Sequence, residues 1–166
     1  IAKIDGSGSS PVRDSLSYIF ANVLKPEPGR RSAIVFMTDA DDTASQRTFA
    51  DEIEEVRHHD TTIYSVFLNT TFAKPSQRDY AGRITAKYQA TLRMLADETG
   101  GQFYAPRELK DLNGIYEQII QDVSNIYTLG YEPKNERHDG GWRAIDVKVK
   151  DKPALTAKTR RGYYAN

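Results

Sequence analysis

Ala33-Ile34-Val35-Phe36-Met37-Thr38-Asp39-Ala40-Asp41-Asp42-Thr43 is the stretch on which the fold turns. Residues 32–38 form an unbroken apolar run bounded by turn signals. A run without polar alternation has the pattern of a strand covered on both faces, as in a parallel sheet. Ligand sites in open parallel sheets lie at the carboxyl ends of the strands. Asp39 stands at such an end, and Asp41, Asp42 and Thr43 follow within one turn.

Upstream, residues 1–9 are rich in Gly and Ser and read as a loop. Ser10 is expected to cap a helix that Pro11 opens. Val12, Leu16, Ile19, Phe20, Val23 and Leu24 share its apolar face, and Lys25-Pro26-Glu27-Pro28-Gly29 ends it. Downstream, residues 46–59 are expected as a helix with Phe49, Ile53 and Val56 inward, and Thr61 to Leu68 as a second strand. Residues 69–82 make a polar connection long enough to be functional or mobile. A helix then runs to Thr99 with Ile84, Tyr88, Leu92 and Leu95 on one face, closed by Gly100-Gly101. Gln102 to Ala105 reads as a short strand and residues 109–125 as a helix.

From Ile126 the period changes. Tyr127 to Tyr131 reads as a strand, residues 132–141 as a turn-rich loop, and Ile145, Val147 and Val149 as the inner side of a half-exposed strand. Residues 155–161 read as another, giving an antiparallel hairpin. The expected fold is therefore α/β: a three-layer Rossmann-like sandwich with a mostly parallel sheet and a C-terminal antiparallel β-hairpin. The whole of 1–166 reads as a single domain, with a body at 1–125 and a β extension at 126–166.

Composition bounds the chemistry. The 166 residues are 39% hydrophobic and 28% charged, enough for a packed core. The absence of cysteine excludes a disulfide scaffold, a thiolate nucleophile and a Cys-type zinc site. No apolar run has the length of a membrane span. Net charge is zero, yet residues 134–166 hold nine Lys/Arg against four Asp/Glu. Basic residues there alternate with apolar ones, the pattern of solvated strand faces more than of an anion-binding patch, so no nucleic-acid partner is expected.

The order of motifs carries a resemblance. Ile34 to Thr43 resembles the strand and loop of von Willebrand factor A domains that read as three apolar residues, Thr/Ser, Asp and Gly. Thr62-Ile63-Tyr64-Ser65-Val66 is similar to the strand that follows there, and Leu95 to Tyr104 to the next helix end and strand. Ile126 to Pro133 and Arg160-Arg161-Gly162-Tyr163-Tyr164 resemble the tail of the bacterial von Willebrand factor A-related subgroup.

The resemblance implies a protein-binding or adhesion module, not an enzyme, working outside the cytoplasm or as a secreted protein. It implies a metal-ion-dependent adhesion site holding Mg²⁺ or another divalent cation, completed by an acidic side chain of a protein ligand. Asp39 corresponds to that site's third-loop Asp and Ser10 to its second-loop Thr. Asp41 and Asp42 are expected to tune charge and to cap the next helix. Asp5-Gly6-Ser7-Gly8-Ser9 matches the family's Asp-x-Ser-x-Ser literally, which would make Asp5, Ser7 and Ser9 ligands. Its position fits the second loop better, which would put the first strand and its motif upstream of Ile1. On that reading the site is incomplete, and the open sheet edge invites the missing segment or another copy of the chain.

The alternative is an enzyme. Asp39-Ala40-Asp41-Asp42-Thr43 also fits the Asp-x-Asp-x-Thr nucleophile loop of haloacid dehalogenase-like phosphatases, with Asp39 attacking phosphorus and Asp41 as acid/base. Ala44-Ser45-Gln46 departs from that family's apolar continuation, and a later Asp pair for Mg²⁺ is missing. His58 and His59 are neighbours on a helix end and point apart, so a shared metal is not expected. Tyrosines 127, 131, 163 and 164 are expected to pack over the sheet.

Overall fold

A computed structural model describes residues 9–24, 31–69, 78–151 and 155–165. In chain order the elements are α1 (Val12–Asn22), β1 (Ser32–Thr38), α2 (Phe49–His58), β2 (Thr61–Phe67), α3 (Arg78–Thr99) and β3 (Phe103–Tyr104). A 3-10 turn (Leu109–Asp111) then leads into α4 (Leu112–Ser124), and β4 (Trp142–Ala144) and β5 (Gly162–Tyr164) close the chain. Strands β1, β2 and β3 form one parallel sheet in that order, with Ile34 beside Ile63 and Ser65 beside Phe103.

Alternation along β2 sorts the core into two layers. Ile63 packs with Ile34 and Phe36 against Leu16 and Phe20 of α1, Ile53 and Val56 of α2, and Leu95 of α3. Tyr64 and Val66 face the other way, with Met37, Tyr104, and Leu112, Ile115 and Ile119 of the 112–124 helix. Helices thus cover both faces, and the expected α/β fold with a C-terminal antiparallel pair is what the chain adopts.

The unbroken apolar run of β1 suggests a doubly covered central strand, but β2 holds that place. In β1, Ala33 and Val35 are exposed. Both strands are apolar enough for the centre, and the chain's crossovers decide which one gains neighbours on both sides.

α2 begins at Phe49, three residues later than expected. The carboxylate of Asp14 accepts the Gln46 and Arg47 N–H groups at 3.1 and 3.3 Å and holds them out of the helix. Thr48 then makes a capping box with Asp51.

Gly101 lets α3 turn directly into β3. A Cβ there would overlap the Ile63 carbonyl, and the buried Thr99 hydroxyl accepts the Ile63 N–H at 2.9 Å beside it.

The tail differs most from expectation. Residues 126–133 form no regular element, and the antiparallel pair is Trp142–Ala144 with Gly162–Tyr164, not 145–149 with 155–161. Aromatic contacts with α2 fix that choice: Tyr164 stacks on His58 at 4.5 Å and meets Trp142 edge-on at 5.0 Å, while Arg57 lies over the Trp142 ring. Tyr163 and Tyr164 are partly buried, whereas Tyr127 and Tyr131 are exposed and do not cover the sheet. The basic tail meets acids of the body, Lys158 at Asp122, Arg161 at Asp97 and Arg160 at Asp60. Its charge is therefore largely answered within the molecule.

Candidate functional site

Asp39 leaves the carboxyl end of β1, and its Oδ1 accepts the Asp41 N–H at 3.2 Å. Between them Ala40 takes φ +57, the left-handed region that costs a residue with a Cβ on the order of 1 kcal/mol. The Thr38 hydroxyl accepts the Ala40 N–H at 2.9 Å, and the Ala40 methyl is buried among Phe67, Leu92 and Phe36. Replacement of the family's glycine is thus a backbone strain offset by packing. Asp41 Oδ1 accepts the Tyr88 hydroxyl of α3 at 2.8 Å.

Asp42 does other work. Its carboxylate accepts the Arg13 N–H at 2.8 Å, the Ser45 N–H at 2.9 Å and the Ser45 hydroxyl at 2.6 Å, and it lies 3.5 Å from the Arg13 guanidinium. Ser45 Oγ in turn accepts the Asp14 N–H at 3.1 Å. The first N–H groups of α1 are therefore capped from a distant loop, not by Ser10. Pro11 is the N-cap residue and makes no side-chain bond. Asp42 caps the preceding helix, not the following one, whose cap is Thr48. Burial alone would raise the Asp42 carboxyl, but the Ser45 hydroxyl, the Arg13 and Ser45 N–H groups and the Arg13 charge outweigh it and hold it below 3.8.

The Ser10 segment lies against the acidic loop. Ser10 donates its N–H to Thr43 Oγ1 at 2.9 Å, and its carbonyl accepts the Thr43 N–H at 3.1 Å. The two predicted loops thus meet at one end of the sheet. Ser9 is exposed beside Ser10, while Asp5 and Ser7 lie outside the described residues, as do Lys25 to Gly29 and residues 70–77 of the polar connection.

Glu52 of α2 is a functional group that sequence patterning passed over. It is 4% exposed, in the field of Arg13, Arg47, Asp42 and Glu55. Burial, reinforced by Asp42 and Glu55 and only partly offset by the two arginines, pushes its carboxyl up to about 7. The signal was present: Glu52 sits at i+3 from Phe49 and i−4 from Val56, on the helix's apolar face.

A hard cation takes oxygen ligands and keeps several waters. Asp39, Asp41 and the Ser10 hydroxyl are oxygen donors of that type, whereas Asp42 is committed to capping. Among the described residues no group of three or more His, Cys, Asp or Glu is placed to hold a metal. The donor chemistry therefore suits Mg²⁺, and the acidic ligand count falls short. Two cavities, of about 380 and 590 Å³, are lined in part by Gly100 and Lys158 and by His138 and Tyr163, and neither includes the Asp39–Thr43 loop.

Fold and site together define an α/β domain with an acidic loop at the carboxyl end of an edge strand. No family model, curated protein or solved structure matches the chain. Among the described residues no helix is long and apolar enough to cross a membrane.

Proposed function

We propose that this domain is a protein-binding module of the von Willebrand factor A type whose ligand contact is a divalent cation held at an incomplete site. Asp39 would hold the cation, Ser10 would add a hydroxyl, and Asp41 would add charge or a water-mediated contact. Asp5, Ser7 and Ser9 are the further oxygen donors this reading allows. The cation, once bound, would supply a positive coordination point for a carboxylate of a protein partner. No turnover is required, and an adhesion role of this kind belongs outside the cytoplasm.

One observation carries the reading: the reciprocal Ser10–Thr43 hydrogen bonds bring the Ser10 segment to the loop that begins at Asp39. That shared end of a parallel sheet is where such folds place ligands. The Asp39 to Asp42 turn keeps its shape through its own backbone and Thr38, so the Asp39 carboxylate can be removed without removing the loop.

Calorimetric titration with Mg²⁺ and Mn²⁺ tests it. Asp39→Ala should weaken binding by about tenfold or more, and Ser10→Ala by less, as expected when a direct ligand is lost. Equal affinity in the parent and in Asp39→Ala would remove the assignment. Hydrolysis of a generic phosphoester that disappears in Asp39→Ala would replace it with the phosphatase reading.

A further inference from the structure

We propose that the outer edge of β1 is a self-association surface, on which a second copy of the chain adds its own β1, antiparallel, about a two-fold axis at Val35. The proposal rests on the sheet edge and not on the cation reading.

The order β1-β2-β3 leaves one side of β1 without a strand partner among the described residues. Thr38 O accepts the Leu68 N–H at 2.9 Å, so the even-numbered residues of β1 direct their backbone groups toward β2. Alternation then directs the N–H and C=O groups of Ala33, Val35 and Met37 outward. Natural sheet edges are guarded by charges, prolines or bulges. Ser32 to Thr38 contains no charge and no proline, and its register with β2 runs without a bulge.

The side chains agree with the backbone. Val35 is 40% exposed on the face that α4 covers only in part. Tyr116, Ile120 and Val123 of α4 are also exposed. A two-fold at Val35 sets Val35 opposite its own copy, Ala33 opposite Met37, and Ile34 opposite Phe36. All outward-directed residues then pair with one another, as an antiparallel ladder requires.

Charge selects this register. With the axis at Val35, Arg31 of each copy stands opposite Asp39 of the other, at both ends of the ladder. Moving the axis to Ala33 sets Arg31 against Val35, and moving it to Met37 sets Asp39 against Val35. Opposite charges across a strand pair stabilise, and a charge facing an apolar partner loses that gain. The two copies would join their sheets into one of six strands, with the uncovered faces of Ala33, Val35 and Met37 side by side.

Sedimentation equilibrium of the full chain across the micromolar range tests the proposal, with circular dichroism to verify folding of each variant. The parent should be a reversible dimer. Val35→Lys, which sets two like charges opposite one another at the axis, should leave a monomer. Arg31→Asp and Asp39→Arg should each weaken the dimer by about tenfold, because both end pairs become repulsive. The double variant restores opposite charges in swapped positions and should return the dimer to near parental strength. A parent that stays monomeric overturns the proposal and leaves the edge to a strand from another protein. A dimer that survives Val35→Lys, or singles that weaken without rescue in the double, overturns the interface and its register.

Discussion

Replacing Glu52 by Gln should make the protein more stable above neutral pH and nearly unchanged at pH 4.5. In the unfolded chain this carboxyl titrates near its ordinary 4.5, and in the folded protein near 7. The folded state therefore binds the proton more tightly, and stability falls as pH rises from about 4.5 to about 7, then levels off. Each tenfold difference in proton affinity corresponds to about 1.4 kcal/mol, so the buried charge costs on the order of 3 kcal/mol above neutrality. Gln keeps the size and has no charge to bury, so it should recover roughly 2–3 kcal/mol at pH 8. Urea unfolding of parent and variant at several pH values between 4.5 and 8 measures the difference directly. Other titrating groups are common to both proteins and largely cancel. Two parallel stability curves, or a variant weakened equally at every pH, would refute the reasoning: the carboxyl would then be either solvated or held ionised by Arg13 and Arg47.

The remaining predictions concern structure around the same loop. Asp42→Ala leaves the Arg13 and Ser45 N–H groups without their acceptor and should cost about 2–4 kcal/mol in urea unfolding at pH 7. Because the folded Asp42 carboxyl sits below 3.8, its contribution is full above that value and is lost as pH falls through the folded one. The gap between parent and variant should accordingly narrow in acid, opposite in sign to Glu52. Gly101→Ala should cost about 1–3 kcal/mol or more, because its Cβ meets the Ile63 backbone and not a yielding side chain; an unchanged thermal midpoint would contradict the packing.

Much of the fold was legible because it depends on local period. β1, β2 and the four helices follow apolar spacing and turn residues, which act over a few positions in sequence. The loop at Asp39 was legible for the same reason, as a run of acids at a strand end. Its division of labour was not. Asp42 and Asp41 are neighbours of one residue type, yet Asp42 reaches back to Arg13 and Asp41 meets Tyr88. The capping partner of α1 lies 29 residues from the helix it serves, beyond any local pattern. Glu52 lay on an apolar face in plain view, but only the packing of α1 and α2 around it turns that position into a buried charge.

Sequence alone determined that this chain is an α/β domain with a carboxylate loop closing an apolar strand, because hydrophobic period and turn chemistry are properties of adjacent residues. Tertiary structure decided which strand lies at the edge, which pair of tail segments forms the hairpin, and which acids stay available to a ligand. Those outcomes depend on contacts between segments tens of residues apart: the crossovers that put β2 in the centre, the His58 and Arg57 rings and charges that select Trp142 and Tyr164, and the Arg13 and Ser45 groups that take Asp42 out of play.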